Sequence, residues 1–343
     1  MLTIVLTIIV LALLFDFLNG MNDAANSIAT IVSTRVLSPR IAVLWAAFFN
    51  FVAAFGFGTH VASTIGKGIV DVAIVNEYMI LSALIGAILW TEMCTRYGLP
   101  ISVSHALIGG LAGAGVAKAG FGSLLLSGLT KVSLFIFLSP IVGLVVSYFL
   151  MVVVTWGVRE SPPNKVDRGF RIGQLVSSAA YSLGHGTNDA QKTMGIIALV
   201  LYKAGYLGET FYVPIWVILC AHFAIGLGTY LGGWKVVRTM GMKLTHLRPI
   251  GGFCAESASA ALLFSTAMAG IPVSTTHTIA GAIMGVGATR RFSAVRWGIA
   301  GENCVGVDIY NPGLGCRRCR GVLRGGAGPR SPCDLDNFGD GMY

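Results

Sequence analysis

Charge is what this chain has least of. Asp, Glu, Lys and Arg together make up 11% of its 343 residues, against about 25% in a soluble domain. A globular domain in water is excluded on that ground, because long apolar runs would have no charged surface to cover them. Cysteine is sparse too. Cys94, Cys220 and Cys254 stand in apolar segments and read as small buried hydrophobes, and no disulfide framework is implied. The run "MLTIVLTIIVLALLF" has the apolar core of a signal peptide but neither its basic start nor its small-residue cleavage site. It reads as the first membrane helix.

What is there instead is hydrophobicity: 55% of residues are apolar and the mean hydropathy is +0.75. The expected fold class is an all-α polytopic membrane protein. A span needs about 20 mostly apolar residues. Candidates fall at 1–33, 41–58, 78–95, 101–119, 131–156, 172–202, 213–233, 251–270 and 273–289, with 1–33 and 172–202 interrupted by polar patches. The stretch 157–171, "GVRESPPNKVDRGFR", reads as a linker between a first transmembrane repeat, 1–156, and a second, 172–300. Cytoplasmic loops collect Lys and Arg. With the N-terminus outside, thirteen fall on one side, the linker's Arg159, Lys165, Arg168 and Arg171 among them. Only Lys67, Lys118, Lys131 and Lys203 fall on the other. The linker is therefore expected in the cytoplasm, with the chain in the inner (plasma) membrane. The formal charge of +9 follows from this bias and needs no nucleic acid.

Polar residues cluster where a membrane helix least tolerates them. Residues 19–27, "NGMNDAANS", and 185–195, "HGTNDAQKTMG", share Gly-x-Asn-Asp-Ala. Residues 99–117, "LPISVSHALIGGLAGAGVA", and 271–289, "IPVSTTHTIAGAIMGVGAT", share Pro, Ser, a second hydroxyl, His and then small residues. Each of the latter follows an acid expected to be buried, Glu92 or Glu256. Asp23 to Asp189 is a step of 166 residues and Pro100 to Pro272 one of 172, so the chain reads as a duplication. The charge-derived topology puts 59–77 outside and its counterpart 234–250 inside, which makes the repeats inverted. The segments 78–119 and 251–289 are re-entrant hairpins with tips at Pro100 and Pro272, or else paired crossings; parity allows both. Inverted repeats with interrupted helices mark secondary transporters that bind substrate at the midplane. Broken backbone is tolerated there only where buried in protein or lining a wet cavity.

Intramembrane acids are functional candidates by default: Asp23, Asp189, Glu92 and Glu256. The hydroxyl triplets "SVS" at 102–104 and "STT" at 274–276 follow a proline, which favours a helix start. Free N–H groups at a helix start bind anions. Carboxylates suit a cation or a proton. Both together suit an anion carried with a cation, and a protonated phosphate both donates and accepts hydrogen bonds.

Gly-x-Asn-Asp-x-x-Asn, its second-half partner and the two Pro-x-Ser-x-Ser/Thr-His segments resemble the inorganic phosphate transporter family PiT, over residues 1 to about 300. The resemblance implies an inverted-repeat carrier moving phosphate with H⁺ or Na⁺, sometimes as a neutral metal–phosphate complex, with no resident cofactor or metal. It implies a site lined by Asn22, Asp23, Asn26, Ser102, Val103, Ser104, Asn188, Asp189, Gln191, Ser274, Thr275 and Thr276. Met21 departs from the family's usual small residue. The expected partners are phosphate, a coupling cation and the lipid bilayer, with homodimerisation left open.

Each motif has a plainer structural alternative. Asn and Asp cap helices and bridge them, but two related clusters favour function: Asp23 and Asp189 for coupling, Asn22 and Asn188 for organising helix breaks. Membrane Ser and Thr often back-bond to a helix carbonyl; the adjacent prolines favour the anion site. His105 and His277 read as network residues more than ligands. Glu92 and Glu256 read as proton carriers or hairpin braces, Glu92 with Arg96, and Lys192 as a partner to a carboxylate. An intramembrane enzyme lacks a Gly-x-Ser-x-Gly element and leaves the duplication unexplained. A channel, a non-transporting scaffold and a sulfate permease of the same family remain rivals.

Residues 302–343 change character, with nine Gly and no apolar run long enough to span. "CVGVDIYNP" can be back-translated so that a one-base shift reads V-W-A-W-I-F-T-I-P, an apolar phrase like the family's closing helix. Residues 301–343 are therefore expected to be an aberrant, frameshifted and disordered tail, and the "CRRC" at 316–319 no metal or redox site. An inactive truncated carrier is the corresponding alternative.

Overall fold

A computed structural model describes residues 2–56, 58–97, 101–232, 247–291, 293 and 295. The expectations for Pro100, for most of 234–250 and for 301–343 lie outside the described residues. Among the described residues the regular structure is helical apart from one isolated bridge, Val70 to Leu124. The helices are α1 (Leu2–Ser33), α2 (Pro39–Val52), α3 (His60–Gly68), α4 (Glu77–Tyr97) and α5 (Val103–Ala119). There follow α6 (Leu126–Gly157), α7 (Pro163–Lys203), α8 (Ile215–Leu231), α9 (Pro249–Met268) and α10 (Thr275–Ala288).

The molecule is built inside out relative to a soluble protein. Large apolar side chains face outward, as with Leu2, Leu6, Val10 and Leu14 along α1 and Leu134, Phe137, Ile141, Val145 and Phe149 along α6. Polar side chains are buried. Among the described residues four helices, α1, α4, α6 and α9, are long and apolar enough to cross a membrane, or five spans if α2 and α3 count as one bent crossing. Helix α7 is too polar to join them, because its polar residues face other helices instead of lipid.

Three expectations are corrected. The Asn-Asp clusters do not interrupt their helices: α1 is continuous over 32 residues and α7 over 41. Asn22 and Asn26 turn their amides to Thr95 and Thr276 on other helices, at 2.9 and 2.8 Å, and so do not compete with their own backbone. The linker 157–171 is mostly helix, since α7 starts at Pro163 with Pro162 as its cap; a proline at the first turn loses no hydrogen bond the helix would make. The break occurs elsewhere. The expected span 41–58 ends early, and 59–77, read as a loop, contains α3, bent 81° from the α2 segment. Gly58 takes φ +67 at this bend, a conformation that costs a Cβ-bearing residue energy.

Helices approach closely through small residues, as interfaces without a hydrophobic drive require. A Cβ on Gly281 of α10 would lie 2.2 Å from the Pro140 carbonyl oxygen of α6, and one on Gly228 of α8 would lie 2.0 Å from that of Phe17 of α1. Basic side chains tie the connections to one another. Arg171 donates to the Arg35 carbonyl at 3.0 Å. Lys118 and Lys203 donate to the carbonyls of Ile74 and Val72 at 2.5 and 3.1 Å.

Two apolar clusters form the core. One takes Val5–Phe15 of α1 and Ala190–Leu201 of α7; the other takes Ala25–Ile31 of α1 and Tyr181 of α7. Both long helices cross between the clusters at their Asn-Asp motifs, and the candidate site lies on that polar seam.

Candidate functional site

The seam is built from α1, α7 and the starts of α5 and α10. Ser102 and Ser274 cap α5 and α10, each accepting the backbone N–H of the histidine three residues on, His105 and His277, at 3.3 Å. The first turns of both helices thus present Val103, Ser104, Thr275 and Thr276, all buried. Val103 directs its side chain into the apolar core, so what it offers the site is its N–H at a helix start.

Asp23 of α1 and Asp189 of α7 meet here. The Thr275 hydroxyl lies 3.2 Å from Asp23 Oδ2 and 3.2 Å from Asp189 Oδ2, so it links the two carboxylates. Thr276 contacts Asp23 at 3.4 Å, donates to the Ile101 carbonyl at 3.1 Å and accepts from Asn26. Lys192, only 1% exposed, bonds Asp189, Ser104 and, at 2.9 Å, the Val273 carbonyl. Its ammonium therefore ties α7 to the entries of both α5 and α10. Asn188 accepts from the Val273 N–H at 3.5 Å. Gln191 accepts from the N–H groups of Val61 and Ala62 at 2.8 and 3.2 Å, capping α3 where the bend would leave bare donors.

His185 completes the nest. Its Nε2 lies 3.6 Å from Asp23 and 3.4 Å from Asp189, and its Nδ1 is held by Asn50 at 3.1 Å. Asp23, His185 and Asp189 bring ligand atoms within 4.8 Å of one another and are the residues that could hold a cation. His185, Asn50 and the bent α2–α3 entry were not expected as parts of the site. The available signal was the i to i+4 step from His185 to Asp189 on a helix that proves unbroken.

The two expected buried acids part company. Glu256 is 0% exposed and accepts from Thr30 at 2.5 Å, Ser177 at 2.5 Å and Gln174 at 3.1 Å. Glu92 is only half-buried and pairs with the exposed Arg96 one turn on, at 2.6 Å. It stands apart from the seam because α4 turns that face outward. His105 and His277 stack edge to face with centroids 5.3 Å apart, across the two repeated motifs. A cavity of about 190 Å³ opens beside Gln191, Thr187 and His222, against the α2–α3 bend.

The seam can hold an anion at two helix starts and a cation between two carboxylates. Comparison with known proteins identifies the family. The profile of the phosphate transporter family matches residues 19–306. A probable low-affinity inorganic phosphate transporter of Rhizobium meliloti is 57% identical over 305 residues, covering 89% of this chain and 91% of that protein. One of the same description from Bacillus subtilis is 44% identical over 88% and 90%. A solved structure titled the sodium-dependent phosphate transporter superposes with a TM-score of 0.79 at 28% identity, covering 89% of this chain and 94% of its own. These relatives are named as transporters, which removes the enzyme reading. The chain is a multi-pass membrane protein that belongs to the phosphate transporter family.

Proposed function

We propose that the chain is a secondary active carrier that imports inorganic phosphate across the cytoplasmic membrane together with H⁺ or Na⁺. The observation that carries this reading is the convergence of Asp23 and Asp189 on one hydroxyl, Thr275, at the start of α10 and beside the start of α5. Two carboxylates against one ammonium leave the nest one positive charge short of balance when His185 is neutral. A cation at Asp23, His185 and Asp189 restores balance, and buried charges are stable only when so compensated. Phosphate then takes the N–H and hydroxyl donors of Ser102 to Ser104 and Ser274 to Thr276, with Lys192 exchanging Ser104 for a phosphate oxygen. The sodium dependence named for the structural relative supports a coupling cation. In this reading the halves are inverted repeats, the N-terminus is outside and the α6–α7 connection is cytoplasmic.

The test is labelled phosphate uptake in cells lacking their own phosphate carriers, beside an Asp189→Asn control, with sulfate as competitor. Saturable uptake that the control loses and sulfate leaves intact is the expected result. Uptake equally inhibited by sulfate would move the substrate to a broader oxyanion class. No uptake from protein present in the membrane would call for repeating the assay with the shifted reading frame restored after about residue 301, which separates an inactive product from a wrong substrate.

A further inference from the structure

One buried carboxyl has no place in the site above. Asp16 of α1 is 0% exposed, and neither of its carboxylate oxygens has a hydrogen-bond partner. Asn19 and Thr193 are the polar side chains set against it, and Asn19 Oδ1 and Thr193 Oγ1 are also buried without a partner. Four buried oxygens thus meet in one place. Asp16, Asn19, Asp23, Asn26 and Thr30 are all buried and recur every three or four residues, so they lie along one face of α1. Asp16 is seven residues from Asp23, about 10 Å along the helix, toward the N-terminal end. Thr193 lies beyond Asp189 toward the other end of α7, where Lys203 meets Val72. The polar seam therefore has a carboxyl at each side of the phosphate nest, Glu256 at one and Asp16 at the other.

An ionised carboxylate without partners in a dry interior carries a very large desolvation cost and takes up a proton instead. Metal is the competing solution. A hard metal ion takes about six oxygens. Helices α1 and α7 are unbroken here, so their carbonyls are engaged, and only Asp16, Asn19 and Thr193 remain. A proton needs a single acceptor beyond the carboxyl. The charged groups acting on Asp16 are Asp189 and Lys192 of α7, and Lys192 is already committed to Asp189. His222 of α8 and Cys94 of α4 are further buried titratable side chains on helices packed against α1.

We infer that Asp16 is the carboxyl that binds the coupling proton, separate from the Asp23–Asp189 nest, with Asn19 and Thr193 as its hydrogen-bond partners. This rests on the phosphate-carrier reading. The carboxylate accepts H⁺ from the outer side, becoming neutral, and gives the same H⁺ up to the inner side as phosphate leaves.

The experiment uses the full chain in sodium-free proteoliposomes. Phosphate–phosphate counterflow without a gradient reports binding and alternation alone; accumulation under an inward proton gradient reports coupling. At one coupled proton, a gradient of one pH unit drives about a tenfold accumulation in the unaltered chain. Asp16→Asn is expected to keep counterflow while its accumulation ratio falls to about one, since its amide carries no proton to couple. Accumulation by Asp16→Asn equal to that of the unaltered chain overturns the inference, as does an unaltered chain that exchanges phosphate without responding to the proton gradient. Absence of counterflow in the unaltered chain defeats the carrier reading itself. Should Asp16→Asn lose counterflow through misfolding, Thr193→Val decides: it keeps the carboxyl and removes a neighbour. A shifted pH midpoint of accumulation supports the assignment and an unmoved one overturns it.

Discussion

Lys192→Met removes the ammonium that bonds Asp189, and its consequence can be worked from the geometry. Lys192 is 1% exposed and Asp189 0%, so neither charge is solvated by water. Removing one partner of such a pair costs about 3–5 kcal/mol, because the other charge stays buried and uncompensated. That corresponds to about two to four powers of ten in the ratio of folded to unfolded protein. The Ser104 hydroxyl keeps a contact to the Val273 carbonyl at 3.4 Å, so the damage falls chiefly on Asp189. The double variant Lys192→Met with Asp189→Asn removes that ion pair as a whole, leaving Asp23 beside His185 as the remaining carboxylate, and the amide introduced by the second substitution still offers an oxygen to Thr275. It is expected to recover at least about half of the lost stability, since a buried ion pair replaced as a whole is often near neutral. Phosphate uptake is expected to vanish in Lys192→Met and to stay absent in the double variant. Denaturant titration of the purified protein in one micelle, with uptake measured in parallel, reads both. A double variant no more stable than Lys192→Met would refute the pairing argument, and full uptake in it would remove Asp189 from the cation and phosphate nest.

Gly228→Ala is expected to destabilise by about 1–3 kcal/mol through overpacking, because its Cβ would sit 2.0 Å from the Phe17 carbonyl oxygen, whereas Gly109→Ala, with nothing within 4 Å, is expected to be silent in the same titration. Gln191→Leu leaves the N–H groups of Val61 and Ala62 without their acceptor, at about 1–3 kcal/mol for each donor, and Gln191→Glu, which keeps an oxygen there, is expected to be milder in thermal unfolding. Glu92→Gln breaks only the outward-facing pair with Arg96 and is expected to change stability by less than about 1 kcal/mol, with phosphate uptake unchanged; a large loss of uptake would bring Glu92 back into the site.

Much of the helix inventory was legible. The expected spans 78–95, 101–119 and 131–156 became α4, α5 and α6 with shifts of a few residues at most ends, because an apolar run of that length has no other stable state in lipid. The helix starts at the two hydroxyl triplets were legible too, since a proline favours a helix start; that Ser102 and Ser274 cap those helices only the structure revealed. The breaks were misplaced. A cluster of Asn and Asp reads as a helix breaker only while its side chains are assumed to turn on their own backbone. Asn22 and Asn26 found hydroxyls across the seam instead, and α1 stayed whole. At α2–α3 the break was invisible because its cap, Gln191, comes from a helix more than a hundred residues away.

By itself the sequence determined the solvent of this protein, the positions of its apolar runs, the doubled motif and the family to which it belongs. Those follow from composition and spacing, which are local along the chain. Only the tertiary structure decided which acids share a site. Glu92 and Glu256 each precede one of the two Pro-Ser-His motifs in the sequence, yet one faces outward with Arg96 and the other is enclosed by Thr30, Gln174 and Ser177. His185 and Asp16 were visible as letters without partners to give them meaning. Whether a buried charge is compensated depends on groups brought beside it by packing, and sequence distance carries no measure of that.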